Sequence, residues 1–244
     1  MVYAIIPAAG HGERFGGKTK KQFIRLGGTP ILIRTLAVFE KSSLVDEIIT
    51  VVSKDDHSFA AHLISGYPLS KAKRIVPGGE RRQDSILAAV ALIEGEGRPE
   101  DIVLVHDGVR PLVSAPLIEK VIRAAERIGC AVAAMPTGDS LKEVSGKKEI
   151  IRSVPRENIW SMQTPQGFRL SILREAYRKA ARDRFDGTDD AMLVERLGIP
   201  IACVEGSPEN IKITTPSDLR MAELLQDARN IHQANETGAE RPGS

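Results

Sequence analysis

The stretch PAAGHGERFGGKTKKQF, residues 7–23, places four glycines and the cations Arg14, Lys18, Lys20 and Lys21 directly after an apolar run. Glycines let backbone amides close around a phosphate chain, and cations replace the water lost from its charges. Three phosphate-binding patterns compete for it. Residues 12–19 spell G-x-x-x-x-G-K-T, the P-loop of nucleotide hydrolases, and "IVLVHD" could supply Asp107 for their magnesium. Yet a helix opening at Lys18 would meet Gly27, Gly28 and Pro30 within about three turns, and the preceding strand ends too early, at Pro7. The dinucleotide fingerprint G-x-G-x-x-G fails because Phe15 stands where its third glycine must pack helix on strand. The third reading is a long basic loop in which the amides of Gly10, His11 and Gly12 and two or three cations hold a triphosphate of ~4 negative charges. Arg14 and Lys21 are its expected site cations, whereas Lys18 and Lys20 read as solvated surface charges.

Beyond this loop the reactive residues are sparse. Asp107 ends the buried run "DIVLVHD", where open α/β sheets place ligands. Lys212, between Ile211 and Ile213 on an expected strand, points to the opposite face from both. No Ser/His/Asp or Cys/His constellation is evident. His11, His57, His62, His106 and His232 lack partners at ligand spacing and read as structural or solvent-facing. Cys130 and Cys203, both in apolar runs, read as buried reduced thiols, and Trp160 as a core or interface anchor.

Buried strand runs alternating with helical patterns must position these residues. "VYAIIPA", "EIITVVS", "AKRIVPGG", "DIVLVHD" and "CAVAAMP" read as strands; "ILIRTLAVFEKS", "DSILAAVALIEG" (opened by Asp84) and "APLIEKVIRAAERIG" read as helices. Continuous apolar strands separated by helices predict an α/β, Rossmann-like fold: a mostly parallel twisted sheet covered by helices on both faces. From about 137 to 157 the pattern changes to a polar β-hairpin arm that protrudes and has little to bury alone. Helices "RLSILREAYRKAARD" and "DDAMLVERLG", strands "IPIACVEG" and "NIKIT", and a final helix capped by Thr215–Asp218 follow. Residues 1–229 form one expected domain, and residues 230–244 an aperiodic, disordered tail. A net charge of +2 does not imply nucleic acid, and no apolar run reaches the ~18 residues of a membrane span. The expected location is cytoplasmic.

The motif PAAG-x-G-x-R followed by K-Q is similar to the signature of cytidylyltransferases among the nucleotidyltransferases. "PGGERRQDS" (77–85), "VLVHDGVRP" (103–111), "PTGDSLK" (136–142), "VPRENIWSMQTPQGF" (154–168), "GTDDA" (187–191) and "VEGSPENIKIT" (204–214) follow in order. Together they resemble the 2-C-methyl-D-erythritol 4-phosphate cytidylyltransferase family over nearly the whole chain. The resemblance implies CMP transfer from CTP to a polyol phosphate with release of pyrophosphate, in non-mevalonate isoprenoid synthesis, with Mg2+ or another divalent cation. It implies that Arg14 and Lys21 stabilise charge on the attacked α-phosphate, and that Arg156 and Lys212 hold the acceptor phosphate in line. Pro7, Ala8, Ala9, Gly10, Gly12, Gly79, Glu80 and Ser85 would bind the nucleotide; Glu80 stands where the family often has aspartate. Asp107, Arg110, Ser140, Thr164 and Thr188 would bind the acceptor, with Asp107 also the metal ligand; Ser140 replaces a frequent threonine. The arm would cross to a second subunit, giving a homodimer. The rival readings are ribitol 5-phosphate cytidylyltransferase, a P-loop NTPase and a nucleotide-binding module without turnover.

Overall fold

The computed structural model describes residues 1–10, 15 and 19–236. Its centre is a seven-stranded sheet built from β1 (Val2–Pro7), β4 (Glu47–Val52), β5 (Arg74–Pro77), β6 (Ile102–Val105), β7 (Cys130–Pro136), β10 (Trp160–Arg169) and β11 (Ala202–Glu205). The spatial order is β11-β7-β10-β6-β1-β4-β5. Both neighbours of β10 pair with it antiparallel, and every other pairing is parallel. Two ribbons stand apart: β2 (Arg25–Leu26) with β3 (Thr29–Pro30), and β8 (Leu141–Val144) with β9 (Ile150–Val154). The second is the expected arm.

Side-chain alternation explains why these runs are apolar throughout. Along β1, Ala4 and Ile6 enter the core beneath α1 (Ile31–Lys41), α2 (His57–Ser65) and α4 (Ala115–Ile128), while Tyr3 and Ile5 enter the core on the other face. That other face is covered by α3 (Arg82–Glu94), α5 (Leu170–Asp183) and the short α6 (Asp190–Glu195). In α4, Leu117, Ile118, Val121, Ile122 and Ala125 form one buried stripe; Ser114 Oγ accepts from the Leu117 amide at 3.4 Å, and Gly129 ends the helix at φ 102°. A third core joins Leu26, Ile31, Val109, Leu112 and Ile213 to Ala222 of α7 (Pro216–Glu236).

Several expectations need correction. Strand β10 was not anticipated, because Pro165 and Gly167 argue against a central strand. The chain accommodates the proline by leaving the ladder: Met162 pairs with Ala134 and Gln166 with Val132, so residues 163–165 face Ala133 alone. Helix α2 was also unanticipated. "NIKIT" is not a strand; its one ladder-like contact is the Ile213 amide on the Val109 carbonyl at 2.9 Å. Helix α3 starts at Arg82, and Asp84 binds back to the Arg81 amide at 3.3 Å. Cys130 is buried, but Cys203 is exposed, since edge strand β11 is covered on one face only. The last helix runs to Glu236, so residues 230–236 of the expected tail are helical; residues 237–244 lie outside those described.

Gly167 shows how closely α4 lies on the sheet. A Cβ there would sit 3.0 Å from Val121 Cγ1 and 3.1 Å from Leu104 Cδ2. Gly167→Ala is expected to lower stability by about 1–3 kcal/mol, read as a lower urea midpoint at unchanged slope.

Candidate active site

All the parallel strands release their chains at one edge of the sheet. The chain order reverses between β1 and β6: from β1 it moves outward to β4 and β5, then returns to the other side of β1. A crevice opens at such a switch point beyond the carboxyl ends of the strands. Here it lies between Pro7 and Asp107, and the Gly108 amide bonds the Pro7 carbonyl at 3.1 Å across its floor.

Two adjoining recesses occupy this crevice. The first is lined by Pro7, Ala8, Ala9, Gly10, Lys21 and Gln22 on one wall and by Gly79 to Arg82 and Ser85 on the other. The second is lined by Arg110, Met162 to Thr164, Gln166, Thr188 and Asp189. Arg82, Asp107 and Lys212 line both. Of the residues singled out in the sequence, Pro7, Ala8, Ala9, Gly10, Lys21, Gly79, Glu80, Ser85, Asp107, Arg110, Thr164, Thr188 and Lys212 line these recesses. Gly12 and Arg14, with His11 and Lys18, lie outside the described residues. Arg156 and Ser140 line neither recess; both are exposed on the arm, where the Arg156 guanidinium donates to the Gly138 carbonyl.

The base of the phosphate loop is stapled at both ends. Gln22, buried, donates from Nε2 to the Ala8 carbonyl at 2.8 Å and the Gly10 carbonyl at 3.4 Å. Lys20 is not a free surface charge: its Nζ lies 2.6 Å from Asp56 Oδ2 and 3.1 Å from Ser53 Oγ. After it come a single turn at Lys21–Phe23 and the β2–β3 ribbon, so residues 19–30 contain no helix of the kind a P-loop requires. The opposite wall is equally tight. A Cβ on Gly78 would sit 2.6 Å from Ser85 Oγ, and that hydroxyl is within reach of the Arg81 carbonyl at 3.1 Å.

At the junction, Asp107 is buried and receives Lys212 Nζ at 3.0 Å and Arg110 Nε at 3.2 Å on the same Oδ2. Burial alone would raise its pKa; Lys212, Arg82 and Arg110 together overcome that and hold it at about 2. Arg110 is also anchored, donating from Nη1 to the Asn210 carbonyl at 2.6 Å. Behind Asp107 runs a chain of hydrogen bonds through the buried His106. The Asp107 amide donates to Thr164 Oγ1 at 3.1 Å, and Thr164 Oγ1 stands 3.1 Å from His106 Nδ1. His106 Nε2 meets the Arg110 carbonyl at 3.1 Å. A carbonyl only accepts, so Nε2 carries the proton, Nδ1 accepts, and the Thr164 hydroxyl is the donor to it. That proton is committed, so toward the second recess Thr164 offers a lone pair only. The three-residue excursion in β10 is what brings Thr164 here.

Sequence reasoning missed Arg82, Gln22, Gln163, Gln166 and Asp189. All five stand inside quoted motifs; their neighbours in the chain gave no reason to separate them from solvated polar residues. Among the described residues no group of three His, Cys, Asp or Glu side chains converges on one point. The carboxylates are Asp107 and Glu80 in the first recess and Asp107 and Asp189 in the second, so a divalent cation there would need further oxygens from a bound ligand.

Two buried groups of the site contribute to the acid behaviour. Burial, outweighing the Arg110 carbonyl and the Asp107 charge, pushes the His106 pKa down from 6.5 to about 4. The unfolded chain binds this proton first, so the stabilisation is complete above pH 6.5, declines as the pH falls toward 4, and is constant below. Asp107 acts lower, its share being lost between 3.8 and about 2. Unfolding free energy is expected to drop on the order of 3 kcal/mol from the His106 term between the two limits. In His106→Asn, urea titrations across pH 7 to 4.5 should show a flatter dependence.

Known proteins match the chain in sequence and in fold. The family model for 2-C-methyl-D-erythritol 4-phosphate cytidylyltransferase matches residues 2–227. Relatives bearing that name from Syntrophus aciditrophicus and Geobacter metallireducens are each 45% identical, over 92% of this chain and 95% and 97% of their own. The solved structure of the Thermus thermophilus enzyme of that name aligns over 91% of this chain and 97% of its own, at TM-score 0.74 and 37% identity. That of the 4-diphosphocytidyl-2C-methyl-D-erythritol synthase of Anaerococcus prevotii aligns over 93% and 96%, at TM-score 0.79 and 30% identity. The chain belongs to the 2-C-methyl-D-erythritol 4-phosphate cytidylyltransferase family.

Proposed function

We propose that this chain transfers CMP from CTP to 2-C-methyl-D-erythritol 4-phosphate, forming 4-diphosphocytidyl-2-C-methyl-D-erythritol and pyrophosphate. The observation that carries the reading is the pair of recesses that meet at Arg82, Asp107 and Lys212. One has a glycine-rich basic wall for a nucleotide; the other has hydroxyl, amide and charged groups for a small phosphorylated polyol. An oxygen of the acceptor phosphate attacks the α-phosphorus of CTP as the bond to the β-phosphate bridging oxygen breaks, and pyrophosphate leaves with that electron pair. The nucleophile is already ionised near neutral pH, so no general base is needed. Among the described residues no histidine lines either recess, and the buried His106 behind them is neutral near pH 7 and hydrogen-bonded at both ring nitrogens.

Lys21, with Arg14, stabilises charge on the α-phosphate. Lys212 holds the acceptor phosphate in line, released from Asp107 as that phosphate competes for its ammonium. Pro7 to Gly10, Gly12, Gly79, Glu80 and Ser85 hold the nucleotide; Asp107, Arg110, Thr164 and Thr188 face the polyol. Mg2+ brought with CTP, near Asp107, would offset triphosphate charge. The names of the relatives favour methylerythritol over ribitol phosphate as acceptor. Arg156 and Ser140 act in a homodimer, reaching the neighbour's cleft from the arm, whose exposed Val144, Ile150 and Ile151 supply apolar contact surface. The described residues contain no helix long and apolar enough to cross a membrane, and we place the enzyme in the cytoplasm.

Pyrophosphate should appear only when CTP, Mg2+ and the polyol phosphate are all present, and Lys21→Ala and Arg14→Ala should each lower turnover ~100- to 1,000-fold. Orthophosphate released from CTP without acceptor would refute the transfer. Replacing Ile150 and Ile151 together by Ser is expected to shift sedimentation from dimer toward monomer and to lower activity with it; an unchanged mass would remove the arm from the interface.

A further inference from the structure

Three residues line both recesses, and two of them, Asp107 and Lys212, neutralise each other at 3.0 Å. The third, Arg82, is held from behind. Its Nη2 lies 2.7 Å from Oδ2 of Asp190, a carboxylate with no solvent exposure whose Oδ1 accepts from the Tyr177 hydroxyl at 2.5 Å. Asp190 sits in the first turn of α6 and Arg82 in the first turn of α3, so two helices of the core fix the guanidinium. No hydrogen bond from Arg82 Nε or Nη1 is found among the described residues, and the side chain keeps 32% of its surface open. The acceptor recess carries three cations, Arg82, Arg110 and Lys212, against the carboxylates Asp107 and Asp189. Arg110 is tied to Asp107 and to the Asn210 carbonyl, and Asp189 to the Met192 amide and Gln166. Arg82 alone of the three cations directs its ion pair away from the cleft, into the core.

We propose that Arg82 is a further substrate-contacting residue, whose outward donors bind the phosphate of the polyol acceptor where the two recesses meet. This rests on the transfer reaction above. A planar fork anchored on one side presents its remaining N–H groups in a fixed direction, which suits two oxygens of one phosphate; an ammonium offers a single point charge instead. The rigid core pair also keeps the guanidinium in place before the acceptor arrives, so that little ordering is lost on binding.

Arg82→Lys tests this, because a lysine still offers a charge to Asp190 but lacks the fork. Its kcat/KM for the polyol phosphate is expected to fall ~10- to 100-fold with the KM for CTP within twofold. Direct calorimetric titration of the polyol phosphate without CTP should show at least tenfold weaker binding. Arg82→Gln combined with Asp190→Asn removes both charges without leaving either buried alone, and should show the same loss while retaining a cooperative melt. If Arg82→Lys stays within twofold in both readouts, or the double variant recovers parental acceptor binding and kcat/KM, Arg82 serves only to neutralise Asp190 and the proposal fails. A parent chain that binds the polyol phosphate yet releases no pyrophosphate would refute the transfer reaction alone, and Arg82 would then stand or fall on the titrations. A parent that binds no polyol phosphate would overturn both.

Discussion

A carboxylate buried at the meeting point of two binding recesses must stay charged where burial favours losing the charge. Asp107 does so because Lys212, from the segment after β11, and Arg110, from its own loop, bind its Oδ2, and the charge of Arg82 at the start of α3 adds to theirs. Each of those segments leaves the same edge of the sheet, so the charge balance is a product of topology. The cations in turn are served by the carboxylate, since it reduces their repulsion of one another across the cleft. The arrangement is preformed, and preformed charge is what a transition state with phosphate charge in motion can use without waiting for the protein to rearrange.

The sheet also explains what could be read from the sequence and what could not. Strands β1, β4, β6 and β7 are legible because burial on two faces leaves only apolar residues, and α4 because its stripe and its Ser114 cap agree. Strand β10 hides because Gln163, Thr164, Pro165 and Gly167 obey local demands of the cleft and of α4 rather than strand propensity. Ile211 and Ile213 flank Lys212 with the alternation of a strand, but no ladder forms; one hydrogen bond to Val109 and the apolar cluster beneath hold Ile213 instead. Cys203 looks like core because its run is apolar, although an edge strand covers only one face.

The site was legible to the extent that phosphate chemistry leaves a composition behind. Glycines next to cations, and an aspartate at the end of a buried strand, could be placed from residue type and position. Arg82 could not, because its meaning depends on Asp190, 108 residues away in sequence. Lys20 was misread for the same reason: Asp56 and Ser53, which bind it, belong to another βα connection. Long-range ion pairs carry no local pattern, and here they fix the cations that border the cleft.

The excursion of residues 163–165 gives the enzyme an unequal capacity for change. Thr164 and Gln163 line the second recess from a strand hemmed in on both sides, so a mutation that reshapes the recess there disturbs the ladder, His106 and the Asp107 amide together. Thr188 faces the same recess from an exposed connection whose alteration leaves those bonds intact. Changes in what this recess accepts are therefore expected first at position 188, with the β10 excursion acting as the fixed jaw and the exposed Thr188 as the adjustable one.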